Sequence, residues 1–242
     1  MKVKIFLSLF IFLNILQNIS FSQENIFTAG FQYKPMIASS FFNTAKRSLT
    51  QNDIAFSVGQ QSGYCAGMMI RRGFTKKYSM EFGINYVKRN YQLEIQDAAF
   101  TDKSTFTIIG YEIPVMGMIF LRLSEKIFMT TGFGWSFDMY PTNVATLDDY
   151  FKQYSQRHSL FQNAVLANLA YEFRTKKSGI FNIGASYHLP FTYIFISEIK
   201  YLPTNDITQM KQPGNYLTID FRYFFHEDPM KPKKEKKKKE RQ

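Results

Sequence analysis

Residues 215–225 read NYLTIDFRYFF and alternate without a break. Leu217, Ile219, Phe221, Tyr223 and Phe225 fall on one face, with Thr218, Asp220 and Arg222 on the other. Successive side chains of a β-strand point to opposite sides, so this is a strand with one greasy face and one polar face. The pattern stops at Phe225. Residues 226–242 are mostly charge, with Lys233, Lys234, Lys236, Lys237, Lys238 and Lys239 at their centre. Whatever required the greasy face ends at Phe225.

The same period of two recurs upstream. Between 127 and 138, Ile127, Met129, Phe133, Trp135 and Phe137 oppose Thr130, Gly132, Ser136 and Asp138. Between 78 and 89, Met80, Phe82, Ile84 and Tyr86 oppose Ser79, Glu81, Asn85 and Arg89. The stretches at 111–122, 165–174 and 181–189 repeat the arrangement. They set Glu112, Arg122, Glu172 and Arg174 on the polar side. The apolar stripes run about ten residues, the length a tilted strand needs to cross a bilayer.

Eight strands follow, near 25–35, 54–72, 78–96, 104–123, 127–139, 162–174, 179–196 and 214–225. Their connections alternate between short polar turns (73–77, 124–126, 175–178) and long loops (36–53, 140–161, 202–214). An even strand count with one-sided long loops predicts an all-β fold. It would be an eight-stranded antiparallel transmembrane up-and-down β-barrel in a bacterial outer membrane, both termini on the short-turn side. Aromatic residues gather at strand ends, as interfacial girdles require: Tyr171 and Phe173, Tyr223 and Phe225, Trp135 and Phe137. A soluble β-sandwich would have to explain greasy stripes on nearly every strand. Residues 178–197 are uncharged for the length of a spanning helix, but they contain Pro190 and alternate in their first half.

Bulk properties agree. Residues 1–22 have the form of a secretory signal, with Lys2 and Lys4, an apolar run at 5–16, and Ser20 and Ser22 before a cleavage site. The apolar run is too short for a helical anchor. Residues 23–225 are then the barrel and 226–242 a basic disordered tail in the periplasm. The single cysteine, Cys65, excludes a disulfide framework. Aromatic residues make up 17% of the chain, and mean hydropathy is −0.24. Of a net charge of +11, the last twelve residues carry six. The high isoelectric point therefore describes a tail, and gives no reason to expect a nucleic-acid partner. The tail suits an anionic periplasmic surface or a protein partner.

Several patterns resemble the outer-membrane β-barrel domain family of Bacteroidota, which includes small porin-like barrels. They are SFSQ (20–23), AGFQYKPMIASSFF (29–42), YEIPVMGMIF (111–120) and YLTIDFRYFF (216–225). The resemblance implies the barrel fold and the outer-membrane location. Phe221, Tyr223 and Phe225 resemble the C-terminal signal of such barrels, which implies recognition by the barrel-assembly machinery. Here the chain departs from that pattern by continuing past Phe225.

Eight-stranded barrels have interiors that side chains fill. The inward set is Arg71, Arg89, Arg122, Arg174 and Arg222 against Glu81, Glu112, Glu172, Asp138 and Asp220, expected to neutralise one another. Met69, Met116, Met118, Phe120 and Phe128 add bulk, so the expectation is a plugged lumen, with a narrow charged path for small solutes as the alternative. Pro114 lies inside a strand, where a bulge is expected.

No catalytic residues, metal ligands or cofactor motif are assigned. His158, His188 and His226 show no zinc-type spacing. Ser186 and His188 share a face and faintly resemble the His-x-Ser pair of outer-membrane lipid A deacylases, but the order is reversed and the pair points inward. The functional reading is a non-enzymatic structural or interaction protein working through its outer loops, in contact with outer-membrane lipid. A small-solute channel, or an accessory of a type IX secretion and gliding machinery, is the alternative.

Overall fold

The computed structural model describes residues 27–39, 46–98, 100–175 and 177–226. The leader expected at 1–22 and the tail lysines expected to lie in the periplasm fall outside these residues. Thirteen strands form, in chain order: β1 (Phe27–Ile37), β2 (Arg47–Gln51), β3 (Ile54–Gly73), β4 (Tyr78–Gln96), β5 (Thr101–Arg122), β6 (Ile127–Met139), β7 (Val144–Leu147), β8 (Phe151–Arg157), β9 (Phe161–Arg174), β10 (Ile180–Pro190), β11 (Phe195–Tyr201), β12 (Ile207–Gln212) and β13 (Tyr216–Phe224).

Eight of them make an antiparallel ring in the order β1-β13-β10-β9-β6-β5-β4-β3. Strand β1 pairs with β13 on one side and β3 on the other, so that Gly30 lies opposite both Phe224 and Met69. The three short turns share one device. In each, a hydroxyl at the start of the turn takes backbone N–H groups two or three residues on. Thr75 accepts from Lys77 and Tyr78, Ser124 from Lys126 and Ile127, and Thr175 from Ser178. Such side-chain capping favours tight turns.

At the other end the structure departs from expectation. The long connections are not open loops. Strands β7, β8, β11 and β12 form a separate antiparallel sheet in the order β12-β11-β8-β7, and β2 pairs with the outer end of β3. This sheet lies face to face with the outer halves of β3, β4 and β5. Between them is a core that includes Phe56, Leu93, Ile95, Ile108, Phe151, Phe195 and Ile199, all buried. Among the described residues from 27 to 225, the fold is therefore a ring with a β-sandwich cap. The expected strand at 179–196 also divides. Pro190 ends β10, because proline has no N–H for the ladder, and β11 joins the cap.

Strand β4 shows how one chain builds both parts. Its inward side carries Ser79, Glu81, Asn85 and Arg89, then Tyr91, Leu93 and Ile95. Its outward side carries Met80, Phe82, Ile84 and Tyr86, then Lys88, Asn90, Gln92 and Glu94. Both faces exchange polarity at the same height. Strand β5 does likewise, with Phe106 and Ile108 inward in the cap and Glu112 inward in the ring. In β3 a bulge between Gln60 and Gly63 falls at this level and shifts the inward parity from Phe56 and Val58 to Cys65, Met69 and Arg71. The bulge expected at Pro114 is absent. The β4–β5 register is the same on both sides of it, with Phe82 opposite Val115 and Asn85 opposite Glu112.

A row of tyrosines marks the boundary on the outside. Tyr33, Tyr64, Tyr86 and Tyr111, on four neighbouring strands, place their rings 5.8, 6.1 and 6.0 Å apart in turn. From Tyr111 to Leu121 the outward face of β5 is ten residue steps, about 33 Å along the strand and ~25 Å in height at a tilt of about 40°.

Candidate functional site

Below the tyrosine row, charged side chains fill the ring. Arg71 on β3 donates from Nε to Glu81 Oε1 at 2.8 Å and from Nη1 to Glu172 Oε2 at 2.7 Å. Arg174 holds the other oxygen of Glu172 at 2.6 Å. Arg222 reaches the second oxygen of Glu81 at 3.1 Å and Asp220 at 2.7 Å, and Lys34 approaches Asp220 at 3.8 Å. The sequence Arg174–Glu172–Arg71–Glu81–Arg222–Asp220–Lys34 thus alternates in sign across the interior. Arg71 also lies over the Phe224 ring at 3.8 Å, and Arg174 over Phe128 at 3.8 Å. Arg71, Glu172 and Asp220 are fully buried. Ions without solvent persist only when paired and hydrogen-bonded.

A second group sits where ring meets cap. Glu112 on β5 lies 3.5 Å from Arg89 Nη2 and 3.6 Å from His188 Nε2, and accepts from the Tyr216 hydroxyl. His188 Nε2 is 2.8 Å from Asp138 on β6, and its ring stacks on Tyr216 with centroids 4.5 Å apart. Arg89 donates to the carbonyl of Gly214 at 2.9 Å. Gly214 has φ +72°, a left-handed conformation that glycine adopts without strain. The guanidinium faces Tyr216 and, from the cap, Tyr140. Arg89 therefore ties the ring, the chain entering β13 and the cap together.

Among the described residues, the ring interior holds five cations (Lys34, Arg71, Arg89, Arg174, Arg222) and five carboxylates (Glu81, Glu112, Asp138, Glu172, Asp220). Arg122 was expected in this set and is not there. At the end of β5 it turns to the short turn and donates to the Ser124 carbonyl at 3.0 Å. Its parity was right, but its height lies at the rim. Lys34 takes its place in the balance. Gly132 and Gly134 on β6 leave the space that Met116 and Met118 occupy, where a β-carbon would collide. A cavity beside Lys34, Glu81, Met116 and Arg222 measures about 10 Å³, room for roughly one water.

Glu112, Asp138 and His188 bring their ligand atoms within 4.8 Å of one another. Spacing along the chain could not reveal this, since the three come from β5, β6 and β10. The donor set is one imidazole and two carboxylates, with Arg89 already beside one carboxylate. Ser186 does not act with His188. Its hydroxyl is bonded to Asp220, while His188 faces Asp138. Phe221, Tyr223 and Phe225 share the outward face, and the Phe225 N–H reaches the Ala29 carbonyl at 2.9 Å.

Two polar contacts in the cap shift the groups that make them. Hydrogen bonds from Lys46, and then from Lys103, hold the half-buried Glu94 carboxyl below the usual carboxylate range. Tyr201 donates to Asp97 at 2.6 Å, and that bond pushes its hydroxyl up to about 12.

An antiparallel ring with charge inside and large apolar side chains outside has the organisation of a membrane-spanning β-protein. Among solved structures, the chain is similar to the crystal structure of the outer membrane protein OprG from Pseudomonas aeruginosa, at 14% identity and a TM-score of 0.52. That match covers 87% of this chain and 100% of the other. The likeness is one of fold. The outer membrane protease OmpT from Escherichia coli also matches, at 10% identity and a TM-score of 0.32, over 86% of this chain and 97% of the other. That score is too low to add to the argument. No protein-family model and no curated protein matches the chain.

Proposed function

We propose that the chain is a bacterial outer-membrane protein. It is an eight-stranded transmembrane up-and-down β-barrel with a plugged lumen, and it holds a β-sandwich at the cell surface as a structural or interaction module without enzymatic chemistry. The observation that carries this reading is the exchange of polarity along β4, where the outward face passes from Phe82 and Ile84 to Gln92 and Glu94. Only a solvent that changes from hydrocarbon to water along the strand makes both halves stable. A charge on the hydrocarbon side costs about 2–4 kcal/mol near midplane. The paired interior and the cap above it support a plug. The motifs at 29–42 and 111–120 support kinship with Bacteroidota barrels.

Planar-bilayer conductance tests the plug. The reading expects no stable openings. Sizeable steady openings would make the chain a small-solute channel. The proposal includes a periplasmic role for the basic residues past Phe225, as the part of the chain that meets an anionic surface. Deleting 227–242 should leave the fold intact and weaken co-sedimentation with anionic vesicles. Unchanged sedimentation would remove that role.

A further inference from the structure

The outward face is not uniform. On the side formed by β1, β13, β10, β9 and β6 it carries a crevice of about 730 Å³, within the range of small-ligand sites. In register, Phe173, Phe181 and Tyr223 stand side by side next to the rim, and Tyr171, Ile183 and Phe221 form the row above. The crevice runs along these two rows. The intervening residues Glu172, Asn182 and Arg222 are buried and turn their side chains inward, so only their backbone reaches it. With no charged side chain turned into it and only the Tyr33, Tyr171 and Tyr223 hydroxyls as polar groups, the crevice fits an uncharged, mainly apolar occupant. The rows lie at the short-turn end of the belt, just above the turn that joins β9 to β10.

We propose that this crevice binds one acyl chain of a phospholipid from the periplasmic leaflet, retained more firmly than the surrounding lipid. The proposal rests on the membrane-spanning reading, which supplies hydrocarbon at this height. Ile183 is central, since it sits between Tyr171 and Phe221 in the register. A larger side chain there fills the space the acyl chain would take.

The test compares full-length protein extracted in mild detergent with Ile183→Trp. The control is Ile84→Trp, on the outward face of β4 and away from the crevice. Native mass spectrometry and phosphorus analysis read phospholipid per protein. Wild type and Ile84→Trp should keep a bound phospholipid, and Ile183→Trp should lose about tenfold in retention. Heat-dependent gel mobility reports folding. If Ile183→Trp does not fold, Phe221→Trp narrows the same crevice from the next strand. Equal retention in the crevice variant and wild type overturns the proposal. So does an adventitious additive only, seen as a detergent adduct without lipid, or a doubled mass that the variant splits. A chain that stays soluble without detergent instead defeats the membrane-spanning reading. A chain that inserts but retains no lipid defeats the crevice alone.

Discussion

In the ring, β4 buries Glu81, Asn85 and Arg89 and exposes Phe82 and Ile84. In the cap, the same strand buries Leu93 and Ile95 and turns the half-buried Gln92 and Glu94 outward. Along β4 the two regions share backbone, pairing and parity, and differ only in which chemistry lies on which face. The cap is an ordinary sandwich, with hydrophobic burial as its driving force. The ring gains nothing from hiding apolar groups when oil surrounds it. It depends on satisfied backbone hydrogen bonds and a neutralised interior. The difference teaches that the solvent, rather than the strand, decides where the core goes.

The comparison breaks most sharply at Arg71. Arg71→Ala strips one partner from Glu81 and from Glu172 at once, and should cost the ring about 3–5 kcal/mol. Urea unfolding in detergent, read by gel mobility, measures it. A loss below ~1 kcal/mol would mean that the network contributes little. Phe195→Ala removes a fully buried ring from the cap core, a loss of about 3–5 kcal/mol that should stay in the cap. Limited proteolysis should then cut within 140–160 or 191–214 while the ring keeps its heat-resistant mobility. Collapse of both together would show that they are one cooperative unit.

The smallest effect is in pH. Tyr201, raised to about 12 in the folded cap, starts from ~10 when unfolded. Its bond to Asp97 is fully present below the unfolded value and disappears as pH climbs through the folded one. Cap stability should decline between pH ~10 and about 12 in wild type, and Tyr201→Phe should flatten that limb. An unchanged limb in the variant would assign it to other groups.

Much of the ring was readable from alternation alone. Strands expected at 78–96 and 127–139 form with those bounds, because a lipid-facing strand must keep one face apolar for its whole crossing. The cap was not readable. Its strands β7, β8, β11 and β12 have four to seven residues each, too short for a period to stand out, and they pair across distant connections. A clue lay in β3, β4 and β5, whose 20, 19 and 22 residues exceed what one crossing needs. In the interior, parity identified the inward charges but not their height or partners. Hence parity alone puts Arg122 with the network although it serves the turn, gives His188 its inward side but not its partners Asp138 and Glu112, and leaves Lys34 unassigned.

One measurement tests the exchange of polarity directly. In a Cys65→Ser background, a spin label is placed at Ile84 or at Gln92, both on the outward face of β4, in protein reconstituted into liposomes. The account predicts that oxygen dissolved in the lipid relaxes the label at 84 and a water-soluble nickel chelate does not, with the reverse at 92. Equal access of the chelate to both sites would contradict it.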